Sequence, residues 1–131
     1  METILLDDFD KYFFDYKGNV IVNGDVKAEG TVRVEGNLTI NGSLSAYNVD
    51  VSGDLIVDGW ISAETYVRAN SVTAGASIRT EWDVTVFRGD VEAGGEICCS
   101  YYISAPKGEV KAKSIKTEFI VDKEGERNVG F

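Results

Sequence analysis

Gly36-Asn37-Leu38-Thr39-Ile40-Asn41 and Gly42-Ser43-Leu44-Ser45-Ala46, then Gly53-Asp54-Leu55-Ile56-Val57-Asp58 and Gly59-Trp60-Ile61-Ser62-Ala63, are copies of one unit about six residues long. Each copy runs glycine, polar, aliphatic, outward residue, apolar or small residue. Side chains two apart on a strand share a face, so the aliphatic and the small residue point one way and the residue between them the other. The glycine then turns a corner. A unit this short cannot bury its apolar side alone, and stacking unit upon unit is what makes a continuous core.

Outward from that stretch, the unit can be followed from Gly18 to about Val121, with aliphatic positions spaced five to seven residues apart, mostly six. In most of the units the outward residue is polar or charged, as at Lys27, Arg33, Thr39, Arg68, Glu92 and Lys111, so one side is dry and the other wet. Taken in threes, the units show a longer register, because Val20, Leu38, Leu55, Val72, Val91 and Val110 follow one another at nearly constant steps. Five of the six follow a glycine and a polar residue, as in Gly18-Asn19, Gly36-Asn37 and Gly89-Asp90. On the second face the inner partner is always small, namely Ala28, Ala46, Ala63, Thr80, Cys99 and Thr117, which suits a narrow interior. The expectation is an all-β, single-domain triangular β-helix of about six coils over residues 18–121. Its irregular steps of five and seven favour the right-handed form.

With 131 residues, 14 glycines, one proline and an apolar fraction of 44%, the chain is one ordinary globular domain, neither collagen-like nor disordered. No apolar run approaches the roughly 20 residues of a membrane span, and Met1 is followed by Glu2 and an acidic segment. A cytoplasmic protein is expected. Cys98 and Cys99 are adjacent and face opposite ways on a strand, so they read as one surface and one core thiol in a reducing compartment. The net charge of −9 argues against direct binding to nucleic acid or insertion among anionic lipids. There is no histidine, which removes the bases and zinc ligands that hexad-repeat β-helix enzymes use. No nucleophile, base or metal cluster accompanies Asp54 and Asp58, and no enzyme and no cofactor are expected.

Residues 1–17 differ from the repeat. Leu5, Leu6, Phe9, Tyr12, Phe13 and Tyr16 fall at helical spacing, with Thr3 placed to cap and Asp7 and Asp8 early in the segment. This predicts a short amphipathic helix whose Leu5, Phe9, Tyr12 and Phe13 cover the open first coil. Residues 122–131, charged and containing Gly125 and Gly130, are expected to form a flexible tail.

The repeat region resembles the bactofilins, the polymer-forming cytoskeletal proteins. Units such as Gly24-Asp25-Val26-Lys27-Ala28 and Gly42-Ser43-Leu44-Ser45-Ala46 carry the resemblance, together with six windings of three units each. It implies a right-handed triangular β-helix that joins end to end without nucleotide and acts as a scaffold. A cap over residues 3–16 leaves filament, limited oligomer and monomer open.

Two surface features stand out. The corner leading into the third face carries Tyr47, Tyr66, Trp82, Tyr101 with Tyr102, and Phe119 in successive coils. These read either as a stacked ladder that stiffens the rod or as a partner-binding strip. Between Glu35 and Glu64 lie the acids Asp50, Asp54 and Asp58 with no lysine or arginine. Asp50, Asp54, Asp58 and Glu64 read either as a solvated face or as an acidic strip for a basic partner. Lysines gather later, at Lys107, Lys111, Lys113 and Lys116, an asymmetry that would orient subunits head to tail. The leading expectation is a non-enzymatic scaffold that binds itself or another protein. The alternative is a small acidic inhibitor or nucleic-acid decoy of the anti-defence kind; carbohydrate binding on the rings is a third.

Overall fold

A computed structural model describes residues 2–130. Its twenty strands wind as a solenoid. The first winding is β1 (Thr3–Lys11) and β2 (Phe14–Lys17), the second β3 (Asn19–Ala28) and β4 (Thr31–Glu35). Three strands per winding follow: β5 (Leu38–Ile40), β6 (Leu44–Ala46) and β7 (Asn48–Val51); β8 (Asp54–Val57), β9 (Ile61–Ala63) and β10 (Tyr66–Ala69); β11 (Ser71–Ala74), β12 (Ile78–Thr80) and β13 (Asp83–Val86). Then come β14 (Val91–Ala93), β15 (Glu96–Cys99) and β16 (Tyr102–Ser104), then β17 (Val110–Lys111), β18 (Ser114–Lys116) and β19 (Phe119–Asp122), and last β20 (Gly125–Asn128).

Each strand pairs in parallel with its counterpart one winding away, so the repeat length becomes the register. Val20, Leu38, Leu55, Val72, Val91 and Val110 lie in one column, and Val26, Leu44, Ile61, Ile78, Ile97 and Ile115 in a second. The third is Val32, Val49, Val67, Val84, Ile103 and Ile120. Val20 through Ile103 in these columns are buried in one core, with the small column Ala28, Ala46, Ala63, Thr80, Cys99 and Thr117 beside them. β1 and β3 run unbroken round the first corner, which joins two of the three faces into one 12-stranded sheet; β2, β4, β7, β10, β13, β16, β19 and β20 form the other.

The glycine-polar pair at the corner has a steric and a hydrogen-bonding reason. A β-carbon on Gly36 would run into the Gly18 carbonyl oxygen, and one on Gly53 into Asn37 Oδ1 and the Gly36 carbonyl. The next residue's side chain then accepts from the backbone of the following winding: Asn37 N–H donates to Asn19 Oδ1 at 2.9 Å, Asp54 N–H to Asn37 Oδ1 at 2.9 Å, and Glu109 N–H to Asp90 Oδ1 at 2.8 Å. Corner amides that sheet pairing leaves over are satisfied this way.

The helix expected over residues 1–17 does not form. Residues 3–17 are one more winding, the seventh: Ile4 sits beside Val20, Phe9 beside Val26 and Phe14 beside Val32. The apolar spacing that suits a helix is also met by a strand turned twice, and pairing with β3 and β4 decides for the strand. Ile4, Leu6, Phe9, Phe14 and Tyr16 pack against the core, and the Phe9 and Phe14 rings stack 5.1 Å apart. Large rings here close a cross-section that valines fill one winding further in. Of the expected cap, Phe9 covers the core, whereas Leu5, Tyr12 and Phe13 are exposed. Residues 125–128 are not a loose tail: β20 pairs antiparallel with β19, pinned by the Arg127–Asp122 and Lys123–Glu109 ion pairs at 2.8 and 2.7 Å. It covers the end of the third face; β17 and β18 leave the other two open.

Candidate functional site

The corner into the third face is built by the chain passing from β6, β9, β12, β15 and β18 into β7, β10, β13, β16 and β19. Backbone bonds run up it: Thr65 N–H donates to the Tyr47 carbonyl at 2.8 Å, Trp82 to Thr65 at 2.9 Å and Tyr101 to Trp82 at 3.0 Å. The rings therefore occupy two neighbouring columns. Tyr47, Trp82 and Tyr101 lie in the first, and Tyr66, Tyr102 and Phe119 in the second, which also holds Thr31, Asn48 and Asp83. The single stacked ladder resolves into a staggered strip. Trp82 and Tyr101 meet edge to face at 5.7 Å. Trp82 and Tyr101 are more than half exposed, and Tyr47, Tyr102 and Phe119 are exposed as well.

Two apolar hollows divide the strip. One, of about 330 Å³, lies among Tyr47, Asn48, Thr65, Tyr66, Arg68 and Trp82. The other, of about 450 Å³, lies among Arg68, Trp82, Asp83, Tyr101, Tyr102 and Phe119. Arg68, on the outer side of β10, borders both, with its guanidinium 4.0 Å over the Tyr66 ring. Asn48 Oδ1 is buried without a hydrogen-bond partner, an acceptor left to be met.

The strip reaches further than the repeat suggests. Gly30 N–H donates to the Tyr12 carbonyl, which places Tyr12 in the first column and Phe13 in the second, one winding below Gly30 and Thr31. The Tyr12 ring lies against Gly30, where a β-carbon would come within 3.4 Å of it. Stepping the register back by one winding from Gly30 and Thr31 would have found both.

Asp50, Asp54, Asp58 and Glu64 are not brought together. All lie within one turn of the chain, so the winding distributes them around the rod. Asp50 sits between Arg33 and Arg68 on the third face. Asp54 Oδ1 accepts from Ser71 Oγ at 2.8 Å and Asn70 Nδ2 at 2.9 Å at the next corner. Asp58 follows β8, and Glu64 borders a shallow depression with Asp10, Lys27, Glu29 and Ser62 on the second face. A strip along the rod needs residues a full winding apart, which these are not.

Cys99 is buried beneath the strip, its one S–H shared between the Tyr102 carbonyl at 2.9 Å and the Trp82 carbonyl at 3.2 Å. Burial pushes its thiol up; the hydroxyls of Thr80 and Thr117 and the backbone at Tyr101 and Val84 pull the other way. Cys98, on the outer side of β15 between Arg79 and Lys116, is partly exposed. Among the described residues no helix is long and apolar enough to cross a membrane, and no group of three or more His, Cys, Asp or Glu is arranged to hold a metal ion.

Compared with known families, residues 14–126 match the model of FapA, the flagellar assembly protein A β-solenoid domain. The chain belongs to the FapA β-solenoid family. That membership supports kinship with β-helix proteins but not with the bactofilins specifically. No curated protein and no solved structure matches the chain. The matched span of the FapA solenoid holds six of the seven windings and all of the strip except Tyr12 and Phe13.

Proposed function

We propose that this FapA-type solenoid is a non-enzymatic assembly scaffold that holds a protein partner against its aromatic strip. The observation that carries the reading is the run of exposed rings over two apolar hollows on one corner, with the Asn48 acceptor unmet beneath it. Contiguous exposed apolar surface of this kind marks contact sites, and tyrosine and tryptophan dominate interface energetics. The family's name ties FapA proteins to flagellar assembly; an assembly role is what we carry over to this chain. Both cysteines are free, which suits work in a reducing compartment.

Self-association is the second mode of the same scaffold. Its open edges are β1 and β2 at one end, β17 and β18 at the other. β1 carries Asp7, Asp8 and Asp10 with Lys11, and at the other end Lys111 and Lys116 are ion-paired with Glu109 and Glu96, with Lys113 beside them, so charge favours contact of unlike ends only weakly. β20 covers the third edge with an antiparallel strand, so parallel stacking of a second copy at this end is offered only by β17 and β18.

The test is a Tyr66→Ser/Trp82→Ser variant. It is expected to lose partner capture while keeping its melting temperature nearly unchanged, since these rings lie outside the core. A large fall in melting temperature would make the strip a stiffening device instead. Light scattering over a concentration series separates the modes: a constant small species means partner binding alone, and growth with concentration means self-association.

A further inference from the structure

At the floor of the larger hollow lies Asp83, whose side chain is only 5% exposed. Its contacts fall on one oxygen. Thr85 Oγ1 donates to Oδ2 at 2.7 Å, and Arg68 Nε stands 3.9 Å from the same atom, at the outer limit of an ion pair. Among the described residues nothing donates to Oδ1. Arg68 is drawn elsewhere, its guanidinium lying over the Tyr66 ring with 44% of the side chain exposed. Oδ1 is not among the buried atoms left without a partner, so it reaches the space of the hollow and is open to a donor entering there, and a cation on it would add charge-assisted hydrogen bonds.

The walls supply what such a cation would use. Trp82, Tyr101, Tyr102 and Phe119 present aromatic surface around the carboxylate, and the face of a ring attracts a cation. We propose that this hollow seats an arginine side chain of the partner protein, its guanidinium between the rings and its N–H groups on Asp83. Arginine is favoured because its planar fork can stack on rings and meet a carboxylate at once. Arg68 is then an internal competitor that blunts the site when the partner is absent. The inference rests on the strip being the partner-binding surface.

The probe is N-acetyl-arginine methylamide, with the citrulline analogue as an uncharged control of nearly the same shape. The readout is the Trp82 indole N–H resonance, told from that of Trp60 by a Trp60→Phe variant. The arginine probe is expected to move the Trp82 signal saturably and the citrulline probe to leave it in place. Asp83→Asn should weaken the arginine probe about tenfold or more, since the charge is removed and the shape kept. Arg68→Gln should tighten it. Equal response to the two probes, or an undiminished response in a folded Asp83→Asn, overturns the assignment, as does weaker binding in Arg68→Gln. The probe comparison is made on the unaltered chain, so it stands even if Asp83→Asn does not fold. If the probes are not distinguished but Tyr66→Ser/Trp82→Ser still abolishes partner capture, the arginine seat falls and the strip survives; if capture is untouched, the strip falls too.

Discussion

Leu44 and Ile56 are aliphatic residues of the same repeat, and the winding gives them opposite fates. Leu44 is fully buried between Val26 and Ile61, whereas Ile56 is 45% exposed on the outer side of β8. Leu44→Ala removes three carbons, about 2.4 kcal/mol of transfer free energy at about 0.8 per group. It also leaves a cavity of about 75 Å³, worth about 1.8 kcal/mol at about 24 cal/mol per Å³. The cavity cannot close by drawing windings together, because backbone bonds such as Val26 N–H to the Ser43 carbonyl and Leu44 N–H to the Trp60 carbonyl, both 2.9 Å, set their spacing. The expected loss is about 4 kcal/mol, a fall in melting temperature of about 12–20 °C for a chain of this length. Ile56→Ala should cost less than about 1 kcal/mol. Urea titrations with an unchanged m-value, alongside thermal melts, measure both. A loss at Leu44 below about 1.5 kcal/mol, or an equal loss at Ile56, would refute the dry column and with it the register that places the strip.

The remaining predictions concern corners, the C-terminal hairpin and the thiols. Gly53→Ala should destabilise by about 1–3 kcal/mol, read by the same melts, because the added carbon meets the Gly36 carbonyl, and Gly125→Ala should loosen the β19–β20 turn despite the open space around it, because its φ of 119° is one that a residue with a β-carbon rarely adopts. The Glu109 carboxyl is held below its ordinary 4.5 by the Lys123 ammonium and then Lys111, and Asp122 below its ordinary 3.8 by the Arg127 guanidinium. Depressed folded values mean that these contacts contribute fully above the ordinary range and are lost as pH falls through the folded values. Amide exchange should therefore show β20 losing protection in acid before the core windings do. Lys123 is raised above 10.5 by Glu109, so its contribution holds below that pH and fades in stronger base. Alkylation of the folded chain should consume Cys98 quickly and Cys99 only on unfolding; fast reaction of both would contradict the burial of Cys99.

Much of the fold was legible because a solenoid writes its geometry into one dimension. The nearly constant steps from Val20 through Leu38, Leu55, Val72 and Val91 to Val110 are the strand register itself, and the small residues at Ala28, Ala46, Ala63 and Cys99 mark the narrow side of the core. The rings of the strip were found by the same periodicity. What escaped lies at the ends. The segment from Thr3 to Lys17 departs from the glycine-polar unit, and its local spacing fits a helix as well as a turned strand; the choice is made by pairing with β3 and β4, contacts a whole winding away that no local period reports. Tyr12 and Phe13 were lost to the strip for that reason, and β20 was missed because nothing in Gly125–Asn128 is apolar enough to announce a strand.

The sequence by itself determined that the chain winds around an aliphatic axis, which residues face it, and that aromatic side chains gather at one corner, because each follows from alternation and repeat length. Only the tertiary structure decided how neighbouring windings share that corner. The stagger of the rings into two columns, the burial of Asp83 beneath Trp82 and Tyr102, the turning of Arg68 onto Tyr66, and the scattering of the four acids depend on which atoms of different windings meet across the corner. Those meetings are set by packing between residues far apart in the chain, and a period has no term for them.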